Sequence, residues 1–269
     1  MGDRRATLTL LLIFCVILVA FPNVDIVTAE EETIYIRADG TVEGTDKILR
    51  DGNVYTFTDN IDGSITVSKP NIVIDGAGYA LRGNGDDTGI RLAYLSGVMV
   101  KNLQITNFSV GVGLYLSGNN TFSENLLIQT DTAISLVDSI NNTITENTIM
   151  NNTNGVCISQ SSNNSFYGNS FVNNTKQVHD FAWNNPETPT SINTWFSSNT
   201  GNYWSDYNGK DSNGDGIGET PYIIDENNQD NHPLMTPNII PEFPSWTPLL
   251  IALVAMVVVA VVYRKRLAK

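Results

Sequence analysis

The sequence predicts an all-β fold, a parallel β-helix of about five or six coils built on a 22-residue repeat. Three tracks of residues carry this reading. Gly89-Ile90, Gly111-Val112, Ala133-Ile134, Gly155-Val156 and Gln177-Val178 recur at 22-residue steps, and four of the five set a small residue before an aliphatic one. Leu92, Leu114, Leu136 and Ile158 keep the same step, and Val100, Phe122, Ile144 and Phe166 form a second apolar track. The third track is polar: Asn125, Asn147 and Asn169 are each followed two residues later by Leu127, Ile149 or Phe171.

Within one copy, such as Asn141 to Ile149, apolar and polar residues alternate with the period of a half-buried strand. Asn and Gly separate these short strands, where turn or left-handed conformations are needed. Coils of this kind stack ~4.8 Å apart. Ile90, Val112, Ile134, Val156 and Val178 then form an internal aliphatic ladder. Asn125, Asn147 and Asn169 form an amide ladder, each side chain bonding the next coil. A leucine-rich repeat of similar period needs more Leu than these copies contain.

Taken in order, residues 1–29 read as a secretory signal. Arg4 and Arg5 precede an apolar run from Leu8 to Phe21, and Val27-Thr28-Ala29 suits cleavage. Residues 30–70 alternate like strands but out of step with the repeat, and are expected to cap the open end of a helix formed by 71–180. Of the two cysteines, Cys15 lies in the signal, leaving Cys157 as a small buried residue beside the aliphatic ladder.

Asn71-Ile72-Val73-Ile74-Asp75-Gly76-Ala77-Gly78-Tyr79, the Asn-rich repeats and Gly201-Asn202-Tyr203-Trp204-Ser205-Asp206-Tyr207 resemble NosD-like right-handed parallel β-helix proteins. The resemblance covers roughly residues 33–235. It implies the repeat class of carbohydrate-binding and sugar-hydrolysis domains, common on archaeal cell surfaces. The family name refers to copper-site assembly, but this chain offers only His179, His232 and Cys157 as soft-metal ligands without clustered Met, so no copper is expected.

β-Helix polysaccharide lyases and glycosidases use clustered carboxylates with basic partners. Asp86 and Asp87 with Arg91 are the nearest match, without the Gly-His-Gly and Arg-Ile-Lys partners of polygalacturonases. A solvated turn explains an Asp pair beside Gly83-Asn84-Gly85 better. The expected function is therefore a non-catalytic surface module that binds glycan or builds envelope structure, with lyase or glycosidase activity as the alternative.

Six sequons, at Asn107, Asn119, Asn141, Asn151, Asn163 and Asn173, are candidate glycosylation acceptors on an exported chain. The 22-residue phase of Asn119, Asn141 and Asn163 argues that turn structure selected them. Past Asp180, within a cap expected over 181–235, Trp195, Tyr203, Trp204 and Tyr207 are either sugar-stacking rings or a seal on the open end, and the seal is favoured. Asp211, Asn213, Asp215, Ile217 and Glu219 follow the first half of an EF-hand loop, which predicts a structural Ca2+. Tyr222 stands where that loop would place its bidentate Glu.

Residues 236–246 read as a Pro-rich stalk, 247–263 as a transmembrane helix, and 264–269 as a basic cytoplasmic tail. Pro241-Glu242-Phe243-Pro244 resembles an archaeal PEF-type sorting signal, after which the helix would be replaced by lipid. Without signal and tail, 26 acidic residues face 9 basic ones, near −17. That excess disfavours nucleic acid and other anionic polymers as partners and suits neutral glycans, envelope components and divalent cations.

Overall fold

The computed structural model describes residues 32–181 and 190–240. The expected signal, spanning helix and tail lie outside them. All regular elements of the described residues are strands, and none of the described residues forms a helix long and apolar enough to cross a membrane. The strands wind into a parallel solenoid of about six turns.

Each coil lays three strands on three faces. Face 1 holds the long strands Thr88–Ala93, Val110–Tyr115, Thr132–Val137 and Asn154–Ser159. Face 2 holds Met99–Lys101, Thr121–Ser123, Thr143–Thr145 and Ser165–Tyr167. Face 3 holds Gln104–Thr106, Leu126–Ile128, Thr148–Met150 and Ser170–Val172. Equivalent positions pair directly from coil to coil, so Ile90, Val112, Ile134, Val156 and Val178 form the expected ladder. The first four are fully buried, and Val178 packs against the same core.

Four corners per coil turn the chain, and each uses a left-handed residue. One column is Tyr94, Leu116, Asp138 and Gln160; the second is Gly97, Asn119, Asn141 and Asn163. The third is Asn102, Glu124, Glu146 and Gly168, and the fourth Asn107, Gln129, Asn151 and Asn173. Asn and Gly suit this conformation, which costs other residues roughly 1–2 kcal/mol. The next residue points inward, and its backbone N–H runs along the axis toward the following coil.

Those N–H groups decide the sequence beneath the corners. Asn120 N donates to Asn142 Oδ1, Asn125 N to Asn147 Oδ1, and Thr130 N to Asn152 Oδ1. Ser117 N likewise donates to Ser139 Oγ. The asparagine Nδ2 groups donate to the next amide and back to a carbonyl of the preceding coil, as Asn147 does to Asn169 Oδ1 and Phe122 O. Four polar ladders therefore exist where one was expected. In the coil before them the same positions are Leu95, Val98, Leu103 and Phe108, all buried.

The ordered repeat is also longer than the 22-residue phase suggests. Strand Ile61–Val67 already pairs Ile65 with Ile90 and Val67 with Leu92, 25 residues on. The Gly83–Asp87 loop lengthens that coil and hides it from a fixed period. Gly63, at φ 152°, lets one strand pass from face 3 to face 1. The cap proper is the strand Glu32–Ile36, which stacks in parallel on it, and the hairpin of Ile48–Asp51 with Val54–Phe57.

Replacing ladder residue Asn147 by Leu strands the N–H groups of Asn125 and two carbonyls. The expected loss is at least ~2 kcal/mol in urea unfolding, since each orphaned buried group costs ~1–3 kcal/mol. Asn141→Gly, at an exposed corner one ladder position away, is expected to shift the midpoint little.

Candidate functional site

The outward side chains of face 1 stand in register. Its central column runs Tyr35, Thr66, Arg91, Gly113, Ser135, Cys157 and His179. Small residues at Gly113, Ser135 and Cys157 leave a low strip. Val110, Thr132 and Asn154 line one side, and Tyr115, Val137 and Ser159 the other. At the Arg91 end stand Tyr94, 71% exposed, and Tyr115, 43% exposed, packed edge to face with centroids 5.7 Å apart. The Tyr94 hydroxyl beside it holds the Tyr115 phenol above its ordinary value.

Tyr94 sits at φ 58° and its neighbour in the corner column, exposed Leu116, at φ 48°. Most other non-glycine residues with such angles are Asn, Asp, Gln or Glu. A bulky exposed ring held there gains neither burial nor backbone ease. Folding does not account for it. The tyrosines escaped the sequence reading because they lie 21 residues apart, one short of the repeat. The signal was their position, since alternation points Tyr115 outward.

Asp86 and Asp87 are exposed in the loop before face 1. Asp86 N donates to Asn84 Oδ1, an Asx turn, and Asp87 lies at φ 52°. Neither they nor Arg91 form an ion pair among the described residues. No paired acid and basic partner is assembled there. All six sequon asparagines, Asn107, Asn119, Asn141, Asn151, Asn163 and Asn173, are exposed left-handed corners. The sequon is thus the corner residue, the inward residue and the next outward Ser or Thr.

In the aromatic segment two of the four rings lie buried, as the favoured seal requires and the sugar-stacking alternative does not. Trp195 and Trp204 are 0% and 1% exposed and present no ring face to a sugar. Trp195 stacks on Phe166 at 4.3 Å and Trp204 on Phe171 at 4.4 Å, continuing the internal columns past Asp180. Tyr222 closes the second column at 4.2 Å. Its phenol is pushed up by burial, with Asp206, which accepts from its hydroxyl, adding to the shift. Tyr203 and Tyr207 are half-buried, and the Tyr207 hydroxyl donates to Thr220 O.

The amide ladders continue too, through Asn193 and Asn228 in one and Asn202 in another. Each ends on a carboxylate. Asn228 Nδ2 donates to Asp225. Asn202 N and Nδ2 donate to Asp230 Oδ2 at 2.6 and 3.3 Å, Trp204 Nε1 joins them at 2.9 Å, and His232 N donates to Oδ1. Burial pushes the Asp230 carboxyl up, against the pull of these donors.

In the loop from Asp211 to Glu219, Asp211 Oδ1 accepts from Gly214 N and Asp215 N, and Oδ2 from Gly216 N. Asn213 Oδ1 accepts from Asp215 N, Asp215 Oδ1 from Ile217 N, and Glu219 from Ser212. Backbone N–H groups, with Asn213 Nδ2 on Asp215 Oδ2 and Ser212 Oγ on Glu219 Oε2, thus occupy the loop's side-chain oxygens.

A family model described as periplasmic copper-binding protein (NosD) matches residues 19–209, well over half of the chain. The chain belongs to the NosD family. Two solved tailspike structures resemble it. The enzymatically active domain of tailspike protein 2 of bacteriophage CBA120 is 17% identical at a TM-score of 0.33, covering 62% of this chain and 33% of that one. The full-length tailspike protein 2 of an Escherichia coli O157:H7 bacteriophage is 19% identical at 0.33, covering 53% and 23%. This chain therefore spans a third or less of those chains. Among curated proteins none matches.

The copper of the NosD name does not fit these residues. Cys157 and His179 stand in register on adjacent strands. Among the described residues, however, no three of His, Cys, Asp or Glu gather to hold a metal. Burial pushes the Cys157 thiol up, away from the thiolate a copper ion takes.

Because the folded value of Asp230 is raised, its protonated form favours the fold. Its contribution is full below the unfolded value of about 4 and falls as pH rises through the raised value. The Tm of the native protein relative to Asp230→Asn is expected to increase as the pH is lowered from neutral to about 4. A calorimetric gap that does not move with pH overturns this.

Proposed function

We propose that this NosD-family protein is an exported, envelope-facing module that binds glycans without cleaving them. The observation that carries the reading is the exposed Tyr94–Tyr115 pair beside Arg91, at the end of the low strip on face 1. Tyrosine rings stack on sugar C–H faces, and their hydroxyls and the guanidinium bond sugar hydroxyls. The strip itself carries Thr, Asn and Ser in place of a carboxylate pair, which favours binding over hydrolysis. The periplasmic character of the NosD family agrees with export.

Tethering by 247–263 and glycosylation at the six corners belong to the same proposal; the first rests on hydropathy and the second on the exposure of the acceptors. The acidic balance argues against nucleic acid. A structural Ca2+ in 211–219 is proposed on the sequence motif.

Two measurements test this. On a glycan array, the ectodomain is expected to bind and release no shortened product. Tyr94→Asn and Tyr115→Ser should each weaken binding about tenfold, the effect of ~1.4 kcal/mol. Tyr94→Asn should not lower the Tm, since Asn tolerates the corner. Absence of binding to any glycan turns the reading to pure architecture, and a shortened product to an enzyme. For calcium, calorimetry is expected to show uptake with a raised Tm, both lost in Asp211→Ala; no heat and unchanged melting remove the ion.

A further inference from the structure

The last described segment leaves the solenoid from its flank, not from its end. Leu234 N donates to Asn202 O, and Leu234 bridges Tyr203 in the last coil. From there the chain runs back along the outside of face 3. Asn238 N donates to Ser170 Oγ at 2.9 Å, and Ser170 Oγ to Asn238 O at 2.9 Å. Ile240 N donates to Thr148 Oγ1 at 2.8 Å, and Thr148 Oγ1 to Asn238 O at 3.3 Å.

Tyr203, Ser170, Thr148 and Leu126 form one outward column on successive coils, so residues 234–240 cross it from the C-terminal coil toward the middle. Ser170 and Thr148 are completely buried although they point out of the core. Leu126 and Ile128, also outside the inner core, continue the covered strip at 0% and 4% exposed. The outward residues of face 1 are more open, with Arg91 and Tyr115 exposed.

The geometry points to a side-on tether: face 3 lies toward the lipid surface, and face 1, with Tyr94 and Tyr115, is turned away from it. This rests on the membrane tether proposed above. Only the residues between Ile240 and Thr247 separate the latched flank from that tether, a reach of ~25 Å at most for an extended chain. At Ile240 the chain is already heading along face 3. The partner is a bilayer, recognised through the covalent tether and not through a headgroup pocket. The glycan face is consequently presented to the space beyond the membrane.

The test uses the full chain in phosphatidylcholine vesicles carrying a lipid-attached quencher. Fluorophores are placed by Thr106→Cys on face 3 or Ser135→Cys on face 1, each in a Cys15→Ser, Cys157→Ser background. The Thr106 label is expected to be quenched several-fold more strongly than the Ser135 label. Replacing Thr148 by Val and Ser170 by Ala together, which removes the hydroxyls that hold Asn238 and Ile240, is expected to bring the two signals together. Vesicle-bound protein with equal quenching at both sites, or stronger quenching at Ser135, overturns the orientation alone. Protein that stays in the lipid-free fraction overturns the tether and the orientation with it.

Discussion

The structure depends on one unmet need of the backbone. At each left-handed corner the inward residue aims its N–H along the solenoid axis, where no strand carbonyl waits for it. Buried and unpaired, each such group costs ~1–3 kcal/mol, and the corners recur four times per coil. In three of the four columns an amide side chain one coil further on supplies the acceptor, and its own Nδ2 reaches carbonyls of the coil behind; in the fourth a serine hydroxyl accepts. Stacked Asn at the corners is therefore a backbone requirement expressed in side chains. Leu, Ile, Val and Phe fill the volume between the ladders and contribute the burial.

The ladders have a direction. The backbone N–H groups and one proton of each asparagine Nδ2 point toward the C-terminal end, so two of the ladders end on donors that need an acceptor. Asp225 and Asp230 meet them there, and the Trp204 indole shares the second carboxylate. This explains a buried acid in the cap. It also explains why the cap is aromatic, since Trp195, Trp204 and Tyr222 prolong the Phe166 and Phe171 columns and close them against water. Both ends of the solenoid are covered, and interaction is left to the faces.

Among the faces, the solenoid treats its positions unequally. Face 3 carries the returning chain, and Thr148 and Ser170 serve as its latch. Face 1 holds two tyrosines whose exposure opposes the hydrophobic effect, one in a backbone state unfavourable to a bulky residue. A regular ladder fold offers flatness at no further cost, so a few departures from the repeat suffice to make a surface specific. Tyr94, Leu116 and Tyr115 are such departures.

The sequence by itself determined the solenoid, its aliphatic ladder and one amide ladder, because stacked coils force a linear period on inward side chains. It also determined that Asn119, Asn141 and Asn163 are turn residues, since they keep the phase of the repeat. Only the tertiary structure decided the rest. The first coil at Ile61–Val67 and the rungs at Asn193, Asn202 and Asn228 are separated by loops of changing length, and a period cannot follow a rung across an insertion. The burial of Trp195 and Trp204, and the meeting of Tyr94 with Tyr115, depend on which residue of the neighbouring coil lies above. That neighbour is set by register in space and not by distance along the chain.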